Sequence, residues 1–318
     1  MPSTSSANRC DPTGATRSRS GSRRNSSRVS WAEYGSAFRP NLPWPDGSGR
    51  RTAAAARFAI ETGFRIGQNL ARTHRNHRKK TALSAELLNN VDHHDLRLHM
   101  RWGRGGGDML SQVLVFPNEF QSVQRHYPIV FRESADGPLR PVALLGLAAG
   151  QNLFVTEDGG WAEGHYIPAV LQRGPLAIAQ GESPSDDPVI LVDPAHSQAS
   201  SERGDPLFLA QGGNAPALER ALEALRVIYV GNDLFDPMIE AFHAAGLLNR
   251  VNLEARVSED ATYAVPDVQI IDAKRLASLS DSDLGALNRA GFLQSAFMAA
   301  ASLGTMQRLA DLAAGVSA

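Results

Sequence analysis

Hydrophobic and polar positions change their rhythm twice along the chain. Up to about residue 80 the apolar side chains are scattered and hold no sustained period. Leu96, Leu98 and Met100 then alternate with Arg97, His99 and Arg101, a period of two that predicts a short, half-exposed strand. VLVFP, ending at Pro117, is a continuous apolar run and predicts a buried strand. Asn118 is placed to cap a helix through Arg125, with Phe120 and Val123 inward. YPIVFRE, 127–133, predicts another strand, followed by an Asp-Gly turn at 136–137. PVALLGLA and NLFVTED predict the two arms of a hairpin around Ala149 and Gly150. A short helix at 168–172, strands at 175–179 and 188–194, and a short strand within 206–214 complete this half.

The rhythm then becomes helical. Leu218, Leu222, Leu225 and Tyr229 fall on one face at helical spacing. Asp236 and Pro237 predict a helix start, and Gly246 its stop. VNLEARV and TYAVPDVQII return to strands. Asp272 is expected to cap a helix through Leu279, and Ser280 with Asp283 a second one. One or two packed helices close the chain, the uncharged stretch Ala290–Gly304 reading as a buried helix. Strands come first and helices last, with no βαβ repeat. The expected class is α+β, an antiparallel or mixed sheet core from 91–214 packed by helices mainly from 214–312.

Charge divides the chain in the same place. Residues 1–80 carry 16 basic and 4 acidic side chains, whereas 81–318 carry 16 basic and 29 acidic ones. An acidic body is a poor nucleic-acid binder, because phosphate neutralisation needs a basic face. The leader, residues 1–80, is Ser- and Arg-rich and lacks the apolar surface to offset its ordering entropy. It reads as a disordered extension, as residues ahead of a later translation start near Leu70 or Leu83, or as a basic tail touching RNA or membrane. Within it, 52–72 can form a short amphipathic helix with Phe58, Phe64 and Leu70 on its apolar side. Residues 81–318 read as one domain. The single cysteine, Cys10, excludes an intramolecular disulfide and a Cys-based zinc site. No apolar run reaches the roughly 20 residues of a membrane span, and no charged-then-apolar signal is visible. The expected compartment is the cytoplasm, with surface association as the alternative.

LLNNVDHHDLR, QVLVFPNEF, YPIVFRE, PVALLGL, YIPAVLQRGP, GDPLFLAQGGN and LNRAGFLQSAFMAAASLGTMQRL stand in this order along the chain. Together they resemble the bacterial SapC family over about residues 84–312. The resemblance implies an association with surface-layer or outer-membrane functions and genes encoded beside TonB-dependent receptors and flavin-dependent halogenase-like proteins. It implies no established reaction, cofactor or catalytic residue. The expected function is a non-enzymatic accessory or binding protein with a peptide or protein partner.

Three residue groups carry candidate chemistry. Trp161, Tyr166 and Arg173 lie in a Gly- and Pro-interrupted segment suited to a pocket wall, and aromatic and Arg side chains dominate binding energetics. They are the expected binding residues. No cofactor is predicted. The alternative is a divalent-metal enzyme using His93 or His94 with Asp193 and His196, His165 being a further possible partner. Adjacent histidines on an extended chain face opposite sides, so one of His93 and His94 would serve. The competing reading for this group is turn and capping chemistry. The glycines at 103–107 fail both nucleotide patterns, since Asp108 stands where the last glycine of a dinucleotide loop belongs and no Gly-Lys-Ser/Thr follows. Glu157 and Asp158 precede two glycines and read as turn residues, and Ser183 reads as solvent-facing.

Overall fold

Apolar strands shorter than seven residues cannot bury themselves. They need partners of distant sequence, and the pairing they find determines the architecture. In a computed structural model, which describes residues 85–102, 110–133, 137–179, 188–259 and 261–315, every ladder is antiparallel. The expectations for Cys10, the 52–72 helix, the glycines at 103–107, Asp108, Asp136 and Ser183 lie outside the described residues.

The principal sheet has five strands: β3 (Gln112–Leu114), β4 (Ile129–Glu133), β5 (Leu139–Leu144), β10 (Leu248–Arg256) and β11 (Thr262–Ile271), in the order β10-β11-β4-β5-β3. Two three-stranded sheets flank it. One joins β1 (Glu86–Leu87), β7 (Val189–Val192) and β6 (Leu176–Ala179), and the other joins β8 (Ala199–Ser200), β2 (Arg97–Leu98) and β9 (Asp205–Pro206). The α+β class holds. The sheet core expected from 91–214 is extended by the long hairpin β10–β11, which docks on β4 through Gln269 opposite Phe131.

The helices are α1 (Phe120–Val123), α2 (Ala169–Gln172), α3 (Pro216–Asn232), α4 (Phe235–Ala244), α5 (Ala273–Ala277), α6 (Asp281–Arg289), α7 (Leu293–Ser302) and α8 (Met306–Ala313). Two caps form as their residues dictate. The Asp272 carboxylate accepts from the backbone of Lys274 and Arg275, and the Ser280 hydroxyl accepts from Asp283 N. Elsewhere the expected caps are replaced. Asn118 sits in a 3-10 turn, Pro117–Glu119, and donates to the Val227 carbonyl of α3 instead. Asp236 lies inside α4 and pairs with Arg140 of β5 at 2.7 Å.

The expected hairpin of 141–158 is also not what forms. β5 finds its ladders with β3 and β4, and residues 152–158 return only one backbone bond to the first arm, Leu153 N to Leu145 O just past β5 at 2.9 Å. The return arm becomes a loop, closed by a bridge between Val155 and Trp161. The 290–304 helix is buried on one side only: Ala296, Ala299 and Ser302 face in, and Phe297 is 52% exposed.

The largest core lies between the five-stranded sheet and the C-terminal helices. Ile129, Phe131, Val268 and Ile271 of the sheet meet Met238, Phe242, Leu276, Leu287, Ala296 and Leu309. A second cluster packs Leu218, Ala221 and Leu225 of α3 on Leu98, Leu176, Val192 and Leu207. Phe116, Leu114 and Phe235 form a third, with Phe116 and Phe235 stacked at 5.1 Å.

Candidate functional site

The loop 152–168 has little ladder to hold it, so side-chain bonds do the holding. Glu119, in the turn before α1, is 4% exposed. Its Oε1 accepts from Phe116 N at 2.9 Å, and its Oε2 accepts from Tyr166 Oη at 2.8 Å and Ala169 N at 3.0 Å. Tyr127, just before β4, donates its hydroxyl to the Tyr166 carbonyl at 2.5 Å and accepts from Trp161 Nε1 at 3.0 Å. The loop at Trp161 and Tyr166, and α2 at Ala169, are thus tied to one short segment, 119–127.

Burial governs the titration of this knot. It raises the Glu119 carboxyl above its usual range, although all three donors pull the other way. It raises the Tyr127 phenol, opposed by the Trp161 bond and by Arg308. It raises the Tyr166 phenol further, reinforced by the neighbouring Glu119 charge.

Aromatic rings continue outward from the knot. Trp102 meets Trp161 edge-on at 5.4 Å, Phe154 stacks on Trp161 at 6.3 Å, and Tyr127 meets Phe154 edge-on at 4.7 Å. His165 lies 5.1 Å from Phe154 and 5.4 Å from His126. Arg308 of α8 brings Nη2 to 2.9 Å from His165 Nε2, while His165 Nδ1 sits 3.0 Å from the Glu163 carbonyl. Arg308 has no acceptor lone pair, so His165 Nε2 accepts and its Nδ1 carries the proton. Burial, with His165, Arg308 and Arg125 nearby, holds His126 below the usual imidazole value. Trp161, Tyr166, His165, His126 and Arg308 are all partly exposed.

Of the expected binding residues, Trp161 and Tyr166 come together through Tyr127. Arg173 instead donates to the Leu176 carbonyl at 2.6 Å, where α2 turns into β6. The expected metal residues make local bonds. His93 is 7% exposed and holds Asn89 O at 3.2 Å through Nδ1. His94 pairs with Asp95 at 2.8 Å. Asp193 accepts from Ala195 N, and His196 Nδ1 accepts from Gln198 N. Among the described residues no group of three or more His, Cys, Asp or Glu is placed to hold a metal ion, so this set is not assembled. Asp158 accepts from Thr156 Oγ1 and from Gly160 N, which is turn chemistry.

Reading the sequence misses Glu119, Tyr127, His126 and Arg308. The one signal present is the carboxylate of Glu119 directly behind the apolar run that ends at Pro117 and before Phe120. A buried carboxyl at such a place needs donors. A cleft of about 280 Å³ lies elsewhere, between β4 and β11. There Arg250 reaches Glu133 and Asp267 at 3.2 Å each, and Arg132 donates to the Pro266 carbonyl at 2.8 Å.

Among the described residues no helix is long and apolar enough to cross a membrane. No curated protein and no solved structure matches the chain. The SapC family model matches residues 88–309, which takes in both the knot and Arg308. The chain belongs to the SapC family.

Proposed function

We propose that this SapC-family chain is a non-enzymatic binding protein, with its binding face on the loop 152–168 around Trp161. The supporting observation is how the polar groups are used. Both oxygens of Glu119 are occupied by three internal donors, and the Tyr127 hydroxyl both donates and accepts within the knot. General acid–base chemistry needs such groups within reach of a substrate proton. Here they fix a loop on a rigid scaffold, which is how binding loops are commonly built. Trp161 stays partly exposed at the end of that network, an aromatic anchor of the kind that dominates partner recognition. A peptide or protein partner in surface-layer or outer-membrane uptake is the setting in which this reading places it.

The test is retention by the tagged full chain, cross-linked in its native cells and compared with Trp161→Ala. A defined partner retained by the wild type and lost from a folded Trp161→Ala variant is the expected result. Turnover of a small molecule or peptide that tracks Glu119 or His165 overturns the proposal.

A further inference from the structure

We propose that Arg308, flanked by His126 and His165, is the seat of a small oxyanion, a carboxylate or phosphate group of the ligand. The inference rests on the binding reading above and names the ligand chemistry of that face. Three segments far apart in sequence deliver these groups to one corner: the chain before β4, the loop 152–168, and α8. Arg308 belongs to no ion pair among the described residues. Its hydrogen-bond partner is a ring nitrogen, His165 Nε2 at 2.9 Å, and not a carboxylate. Its Nε is buried without a hydrogen-bond partner, and so is His126 Nδ1. Guanidinium groups in folded proteins are normally satisfied, and their planar fork matches the two oxygens of a carboxylate or phosphate. The charge is also against the trend of the body, which carries 29 acidic against 16 basic side chains from residue 81 onward. A cationic corner on an acidic body suits a compact anion and repels a polyanion.

Phe154 and Tyr127 line the inner side of the corner and are fully buried. They lower the local dielectric, which strengthens an ionic hydrogen bond made at Arg308. His165 holds the guanidinium by Nη2 and thereby orients the remaining N–H groups.

The experiment uses the full chain with ¹³C-labelled histidine. It is titrated with acetate, citrate and inorganic phosphate, each against sodium chloride of equal ionic strength. The expected result is a saturable shift of the His126 resonance with at least one oxyanion. It should weaken about tenfold or more in Arg308→Lys, which keeps the charge and loses the fork, and vanish in Arg308→Gln. A response to acetate and citrate alone identifies a carboxylate; a response to phosphate alone identifies a phosphate. Absence of any saturable shift beyond chloride overturns the proposal. So does an equal response in Arg308→Lys, which remains decisive if Arg308→Gln does not fold. The two readings fail separately. Partner retention that depends on Trp161 without an oxyanion response overturns this assignment and leaves the binding face standing.

Discussion

Glu119 and Ser302 are buried polar side chains that each join distant segments inside the core. Glu119→Gln keeps the shape but offers one acceptor oxygen where two now serve, so a buried donor meets an NH2 group. A loss of about 1–3 kcal/mol is expected, measured by chemical denaturation. The pH dependence carries a sign. The native carboxyl is raised from 4.5, so the folded state binds more protons than the unfolded one above that pH. Its contribution is full below pH 4.5 and is lost as pH rises through the native value. The nearby titratable groups, Tyr127 and Tyr166, are raised and stay protonated throughout. The stability gap between wild type and Glu119→Gln should therefore shrink as pH rises from 4.5 towards 7; a widening gap refutes the assignment. Ser302, 0% exposed, accepts from Ile129 N at 2.8 Å and donates to the Ala299 carbonyl at 2.6 Å, linking α7 to the first residue of β4. Ser302→Ala strands the Ile129 N–H and should cost about 1–3 kcal/mol in urea unfolding.

At the scale of elements, close approach outweighs propensity. Gly231 lies in the last turn of α3, where a Cβ would come within 2.5 Å of the Phe116 side chain and of Asn118 Oδ1. Alanine favours a helix over glycine by about 1 kcal/mol. Even so, Gly231→Ala should lower the melting temperature, because the Phe116 contact has to open. The same comparison runs through the hairpin β10–β11, where Asp267 sits at φ 60°, next to a bulge between Val251 and Leu253. Asp267→Ala should cost about 1 kcal/mol from the left-handed backbone, and Asp267→Gly should be near neutral, as read by thermal melts of both. These elements also show what a sequence discloses. Caps at Asp272 and Ser280 were legible, because a cap is a local event within four residues. The fate of 141–158 was not, because the pattern of apolar residues alone does not name a strand's partner. The docking of β11 on β4 joins residues more than a hundred positions apart. The site divides similarly. Trp161 and Tyr166 stand out by residue type in a broken segment, whereas Tyr127 and Arg308 acquire meaning only from partners 34 to 143 residues away.

For the molecule as a whole, the question is whether its three apolar clusters melt together. They share members: Met100 packs against the first and second, Ile228 against the second and third, and Val170 against the first and third. The polar knot adds a further tie, since Glu119 and Tyr127 fasten the loop 152–168 and α2 to the edge of the principal sheet. Linked in this way, the clusters cannot lose packing one at a time without exposing a shared side chain. Leu207 is 0% exposed in the second cluster, remote in sequence from β4 and β5 of the first. Leu207→Ala should cost about 2–5 kcal/mol. In one cooperative unit that cost appears everywhere. Hydrogen exchange of residues 129–133 and 139–144 should then speed up alongside that of 176–179 and 189–192. Were the clusters independent, exchange would rise in 176–179 and 189–192 alone, with β4 and β5 protected as in the wild type. The shared side chains argue for the first outcome, and a cooperative body is what a loop held by distant anchors requires to present Trp161 and Arg308 in fixed relation.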